Sequence, residues 1–218
     1  MGYSSGIFDG RYVYFTPVVN GVSPNGNGCV LRYDTLGNFT NSPSWLACDA
    51  SNTGGQVATV FKGAVFDGHY IYFAPYPTSG ACVVLRYDTQ IAFTNAAAWN
   101  AFNATNTSGL KTDGYDGAVF DGRFVYFTPY HDSSSLFHGR VLTYDTQGPF
   151  TNASSWRAVD AGSTGGLATQ GYVGAVSDGR YVYFAPYRNT NNFSGNVLRF
   201  DARLPRQIPA TVTGGSNL

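Results

Sequence analysis

A β-propeller of four blades, each of four antiparallel strands, is the all-β fold that this sequence predicts. A single motif recurs four times along the chain. Gly117 to Tyr130 reads GAVFDGRFVYFTPY, matched by Gly6 to Pro17 (GIFDGRYVYFTP), Gly63 to Tyr76 (GAVFDGHYIYFAPY) and Gly174 to Tyr187 (GAVSDGRYVYFAPY). The aspartates of the four Asp-Gly pairs, Asp9, Asp67, Asp121 and Asp178, lie 58, 54 and 57 residues apart. Self-similarity at a period near 50 residues marks a solenoid, an array or a propeller. A second marker follows each copy: Val30-Leu-Arg-Tyr-Asp34, Val84-Leu-Arg-Tyr-Asp88, Val141-Leu-Thr-Tyr-Asp145 and Val197-Leu-Arg-Phe-Asp201.

Each repeat resolves into four strand-like runs. The first is the apolar stretch before Asp-Gly, such as Gly63 to Phe66. Asp-Gly then reads as a tight hairpin, because glycine supplies the positive φ such turns require. The second strand, Arg123 to Thr128, is rich in aromatic and β-branched residues and ends at Pro129, which has no N–H to donate. In the third, Leu and Tyr share one face while Val, Arg and Asp share the other. The fourth is short, at Trp45 to Cys48, Trp99 to Phe102 and Trp156 to Val159. One such sheet per repeat, repeated radially, is a propeller blade. A stacked β-solenoid is the competing architecture, with rungs usually shorter than about 55 residues.

The expected organisation is a single domain over residues 1–218, with repeats of about 1–51, 52–108, 109–164 and 165–218. The last repeat loses the pattern after Ala202. There Ala210 to Thr213 is expected to supply the missing fourth strand, since terminal repeats are often atypical. Without it the ring would have to close against another copy, because open propellers expose strand edges. Closure within one chain, hence a monomer, is the expectation.

Hydrophobic residues make up 43% of the chain and charged residues 12%, with zero formal net charge. The charged share is about half the usual ~25%, so charge-driven disorder is excluded. No basic stripe is present, which argues against nucleic acid as a partner. No apolar run is long enough for a membrane-spanning helix, and the start shows no basic-then-apolar leader pattern. Three cysteines, Cys29, Cys48 and Cys82, make no disulfide framework and read as small buried thiols. With two lysines against eleven arginines, the surface is built from Asn, Thr, Ser, Gly and Tyr. That palette suggests an extracellular or cell-surface protein. Asn38, Asn103, Asn106, Asn152 and Asn192 are sequons for a secretory route.

The aromatic second strand (Val125-Tyr-Phe127) and the Leu85-Arg-Tyr-Asp88 third strand, with their equivalents in every repeat, resemble the hemopexin repeat. The resemblance covers the chain through Asp201 and implies a four-bladed propeller. It also implies a cation on the central axis held by strand carbonyls; otherwise no cofactor is expected. Two departures stand: these repeats are longer, and the disulfide tying the first hemopexin blade to the last has no counterpart. In blade architecture and size the chain is also similar to the five-bladed tachylectin-type lectins.

Few motifs carry chemistry. Gly2-Tyr-Ser-Ser-Gly6 matches the nucleophile-elbow pattern, but that elbow requires a strand–turn–helix and is read here as chance. Asp9, Asp67, Asp121 and Asp178 could suggest glycosidase acids. Four equivalent copies in Asp-Gly turns are better explained by turn chemistry. Asp34, Asp88, Asp145 and Asp201 read as partners of nearby arginines or as turn caps. His131, Asp132 and His138 share one loop, a weak signal for zinc, and no metal site is assigned. Trp45, Trp99 and Trp156 occupy one repeat position and read as packing wedges in preference to sugar-stacking platforms.

The best ligand-binding candidates begin the loops after the second strands: Tyr76, Tyr130 and Tyr187, beside His131, Arg188 and Asn189. A rigid frame carrying variable loops is where binding usually resides. The expected function is therefore a non-enzymatic, lectin-like carbohydrate-binding module using several repeated sites for avidity, with glycans or a protein as partner. The alternatives are a structural or protein-interaction domain of a larger surface protein and, third, a glycosidase-type enzyme.

Overall fold

The computed structural model describes residues 2–18, 28–76, 80–202 and 214–215. Within them lie four four-stranded antiparallel sheets. The first has Gly2–Phe8, Tyr12–Val18, Cys29–Asp34 and Trp45–Asp49 in spatial order. The second has Phe61–Phe66, Tyr70–Pro75, Val83–Asp88 and Trp99–Asn103, and the third Tyr115–Phe120, Phe124–Pro129, Arg140–Asp145 and Trp156–Asp160. The fourth has Tyr172–Ser177, Tyr181–Pro186, Val197–Asp201 and Gly214–Gly215. The expected closing strand at Ala210 to Thr213 lies outside the described residues. The strand seen in its place, Gly214–Gly215, pairs with Val197 and Leu198. Short hairpins, Asn52–Thr53 with Gln56–Val57 and Asn106–Thr107 with Leu110–Lys111, lead from one sheet to the next.

The Asp-Gly turns do what their chemistry dictates. Asp67 Oδ1 accepts hydrogen bonds from the backbone N–H of His69 (2.8 Å) and Tyr70 (2.6 Å), and Gly68 takes φ 101°. Its second oxygen accepts the Tyr72 hydroxyl at 2.7 Å. The same three bonds recur at Asp9, Asp121 and Asp178. A turn residue thus satisfies the polar end of a tyrosine whose ring can then be buried. The third-strand aspartates pair as anticipated: Arg11 with Asp34 at 2.8 Å, Arg123 with Asp145 at 2.8 Å, and Arg180 with Asp201 at 3.7 Å. His69 stands where its siblings have arginine and meets Asp88 at 2.9 Å.

The core lies between sheets. Tyr72, 1% exposed, projects from sheet two against Tyr144 and Phe150 of sheet three, with ring centroids 5.6 and 6.1 Å apart. Arg86 lies over both Tyr70 of its own sheet (4.2 Å) and Phe150 of the next (4.4 Å). Tyr14 and Arg32 repeat these contacts on Tyr87 and Phe93. Trp99 and Trp156 are buried, and each indole N–H donates to a phenylalanine carbonyl six residues earlier. Trp99 and Trp156 are packing wedges, as expected, whereas Trp45 makes the same bond to Phe39 at 2.8 Å but is only half-buried. Cys82 is buried, Cys29 and Cys48 half-buried, and all three are free thiols.

The innermost strands of sheets one and two, two and three, and three and four pack side by side. The first and fourth are not packed in this way, so the described residues form an arc of sheets and not a closed ring. This corrects the expectation of a propeller closed within the chain. The fourth repeat lacks a counterpart of the Phe39-Thr-Asn41, Phe93-Thr-Asn95 and Phe150-Thr-Asn152 runs and of the tryptophans that follow them in the other repeats.

Candidate functional site

Three of the four innermost strands carry a break in register at the same place, between Tyr3 and Ser5, Phe61 and Gly63, and Tyr115 and Gly117; the fourth runs from Tyr172 to Ala175. An extra residue in one strand kinks the ladder and redirects a side chain, and such bulges often lie beside active sites. The residues at these breaks are Ser4, Lys62 and Asp116. The Ser4 hydroxyl reaches across to the carbonyls of Phe61 (2.8 Å) and Lys62 (2.9 Å). Gly63 is required where it stands, since a Cβ there would sit 2.9 Å from the Asp116 carbonyl oxygen. The bulges of successive sheets therefore abut and line one end of the arc's inner edge.

The predicted tyrosines gather at the same end. The N–H groups of Tyr76, Tyr130 and Tyr187 each donate to a carbonyl just before their own innermost strand, at Val60, Gly114 and Gly171. Their rings form one ladder, Tyr76 to Tyr130 at 6.3 Å and Tyr130 to Tyr187 at 6.1 Å. His131 closes one side: its Nε2 lies 3.1 Å from the Tyr76 hydroxyl and its ring 4.5 Å from that of Tyr130. Lys62 Nζ stands 5.4 Å from the centre of the Tyr76 ring. Arg188 is close enough to Tyr130 to favour its ionisation. Asn189 is an Asx turn, its side-chain oxygen accepting from the N–H of Asn191 and Asn192 at 2.9 Å, so it shapes the Arg188 loop.

Electrostatics single out Asp116. Burial raises its carboxyl above the ordinary 3.8, and the Lys62 ammonium only partly opposes this. Burial raises Tyr76 and Tyr130 too, each with a further contribution from Asp116. A desolvated carboxyl flanked by an ammonium and two phenols is the pattern expected where proton exchange matters. The sequence reading missed Lys62 and Asp116. Their signal was available: Lys62 is one of two lysines, and Lys62 and Asp116 stand five residues before their turn aspartates, where the other copies hold Ser4 and Val173.

His138 does not join His131. It is buried, its Nε2–H donates to the Asp113 carbonyl at 2.7 Å, and its Nδ1 accepts from the Arg140 N–H at 3.2 Å. Among the described residues, no cluster of three His, Cys, Asp or Glu side chains could hold a metal ion, and no helix is long and apolar enough to cross a membrane.

No family model matches this chain, and no curated protein matches it in sequence. Solved structures do match it in fold. The structure of YjhT is 12% identical over 99% of this chain and 64% of that one, with a TM-score of 0.56. A "putative TolB" from Agrobacterium tumefaciens is 15% identical over 92% of this chain and 58% of that one, with a TM-score of 0.51. A "putative 6-phosphogluconolactonase" from Bacteroides uniformis is 16% identical over 96% and 55%, with a TM-score of 0.49. The chain thus spans 55–64% of these structures. The fold is all-β and propeller-like.

The expectation of a lectin-like carbohydrate-binding module is corrected. The matched structures share the fold alone and give a lectin role no support. The geometry gives a physical reason as well. The tyrosines were read as separate, repeated sites acting by avidity, but they form one continuous ladder converging on one unrepeated Lys62–Asp116 pair.

Proposed function

We propose that this end of the arc binds a small, flat anion and takes up a proton at Asp116 as it does so. The observation that carries the reading is the raised Asp116 carboxyl beside Lys62, at the foot of the tyrosine ladder. Tyr76, Tyr130 and Tyr187 supply an aromatic wall suited to an unsaturated ring system. Lys62 and Arg188 supply positive charge, and His131 a hydrogen-bonding edge. A bound anion next to Asp116 disfavours its charged form, so binding and protonation support each other.

The reading is tested by ligand-observed NMR with a panel of aromatic carboxylates and their matching primary amides. Carboxylates are expected to bind and amides to bind at least tenfold more weakly. Affinity is expected to fall as pH rises through the Asp116 titration. Tyr130→Ala should abolish binding, while Asp116→Asn should retain it and lose the pH dependence. Equal binding of acids and amides, or binding indifferent to Tyr130→Ala, would overturn the reading.

A further inference from the structure

The two ends of the arc are the two halves of an interface that the chain has already built inside itself. Between sheets one and two, and again between sheets two and three, the contact has fixed parts. The leading face supplies a valine or isoleucine of the innermost strand, the second-strand tyrosine held by the turn aspartate, and an arginine of the third strand. The trailing face supplies a Tyr–Phe–Trp triad. Val65, Tyr72 and Arg86 meet Tyr144, Phe150 and Trp156 in this way. In that setting Phe93 is 2% exposed and Phe150 3%.

The first sheet presents the trailing half, and no other sheet of the described residues packs on it. Tyr33, Phe39 and Trp45 make the same triad, with centroids 5.2, 4.7 and 5.2 Å apart against 5.3, 4.7 and 5.5 Å for Tyr144, Phe150 and Trp156. The triad is therefore preformed, yet Phe39 is 64% exposed and Phe8 52%. The fourth sheet presents the leading half. Tyr183 is held by Asp178 at 3.0 Å, Arg199 lies over Tyr181 at 4.5 Å, and Val176 is 66% exposed. Unlike Arg32 and Arg86, Arg199 lies over no ring of a following sheet among the described residues. The fourth sheet holds the cation that Phe39 lacks, and the first sheet holds the ring that Arg199 lacks.

We infer that the occupant of each face is a second copy of this chain. The leading face of the fourth sheet packs on the trailing face of the partner's first sheet, and the reverse contact completes a two-fold ring of eight sheets. A heterologous contact that closes gives a ring instead of a filament, and eight blades lie within the usual range of four to eight. Exposed contiguous apolar surface of this kind marks an interaction site. This replaces the expectation of a monomer.

The test is light scattering after size exclusion on the 218-residue chain across micromolar to hundreds-of-micromolar concentrations. The expected mass is about twice 23.4 kDa, with dissociation on dilution. Phe39→Glu and Val176→Glu, both at exposed positions and so compatible with folding, should each yield monomers with an unchanged far-UV spectrum. An equimolar mixture of the two should restore a dimer, since it retains one contact with both halves intact. Leu36→Glu, on an 80% exposed loop residue, should leave the dimer unchanged. A monomer throughout, or a dimer that survives both substitutions, would overturn the inference. So would a dimer broken by Phe39→Glu and untouched by Val176→Glu, because that is a symmetric contact of first sheets.

Discussion

Arg140→Met is expected to lower the stability of the chain by about 3–5 kcal/mol, among the largest effects of any single substitution outside the aromatic core. Asp113 is fully buried. Arg140 lies 3.6 Å from its Oδ1 and 3.3 Å from Asp132, while Lys111 and the Ser133 N–H meet its Oδ2 at 3.3 and 3.1 Å. Its Oδ1 accepts no hydrogen bond among the described residues, so Arg140 is what compensates that oxygen. Removing the guanidinium leaves a carboxylate in a dry environment with one half-exposed lysine, and an uncompensated buried charge costs far more than the pair contributes. Urea unfolding of the variant checks the magnitude. The double variant Arg140→Met with Asp113→Asn should recover part of the loss, because it removes the stranded charge as well. A single-variant cost below about 1 kcal/mol would show the cluster to be well solvated.

Acidification from pH 6.5 to 4 is expected to cost a further ~3 kcal/mol through His138 alone. Burial is the main cause that lowers its imidazole from the ordinary 6.5 to about 4, with the Arg140 charge adding to it. The unfolded chain binds a proton there from about pH 6.5 downward and the folded chain only near 4, so stability falls with pH across that window and levels off below it. Each pH unit of the window corresponds to about 1.4 kcal/mol. The geometry agrees with the sign: in the neutral ring Nε2–H donates to Asp113 and Nδ1 accepts from Arg140, and a proton on Nδ1 would break the second bond. His138→Gln should flatten the slope of stability against pH between 6.5 and 4, measured by urea unfolding at fixed pH. An unchanged slope would move the linkage elsewhere.

The repeat made most of the local structure legible. Asp-Gly, the aromatic second strand and the Arg-Tyr-Asp third strand each carry their own instructions, and the turn aspartates, arginine partners and buried tryptophans stand where those instructions put them. The Tyr76–Tyr130–Tyr187 ladder was legible for the same reason, since equivalent positions in adjacent sheets must fall side by side. What the sequence hid depends on contacts between repeats. Lys62 and Asp116 sit at bulges, where the period-two alternation breaks and a side chain is redirected without a local signal. Asp113, Arg140 and His138 come together only because the segment leading into the third sheet and the loop before that sheet's third strand fold over one another. Closure was misjudged because it depends on whether Tyr183 and Arg199 reach a Phe39-type partner, which repeat counting cannot tell.

The reading of the tyrosine-ladder site stands or falls with Asp116. The most direct measurement is its carboxyl titration by carbon-detected NMR, in the unmodified chain and in Lys62→Met. The midpoint is expected above the ordinary 3.8, to rise further in Lys62→Met because the opposing ammonium is gone, and to rise again when an aromatic carboxylate is bound. A midpoint at or below the ordinary value, unmoved by Lys62→Met, would contradict the account and leave the tyrosine ladder without a proton-exchanging partner.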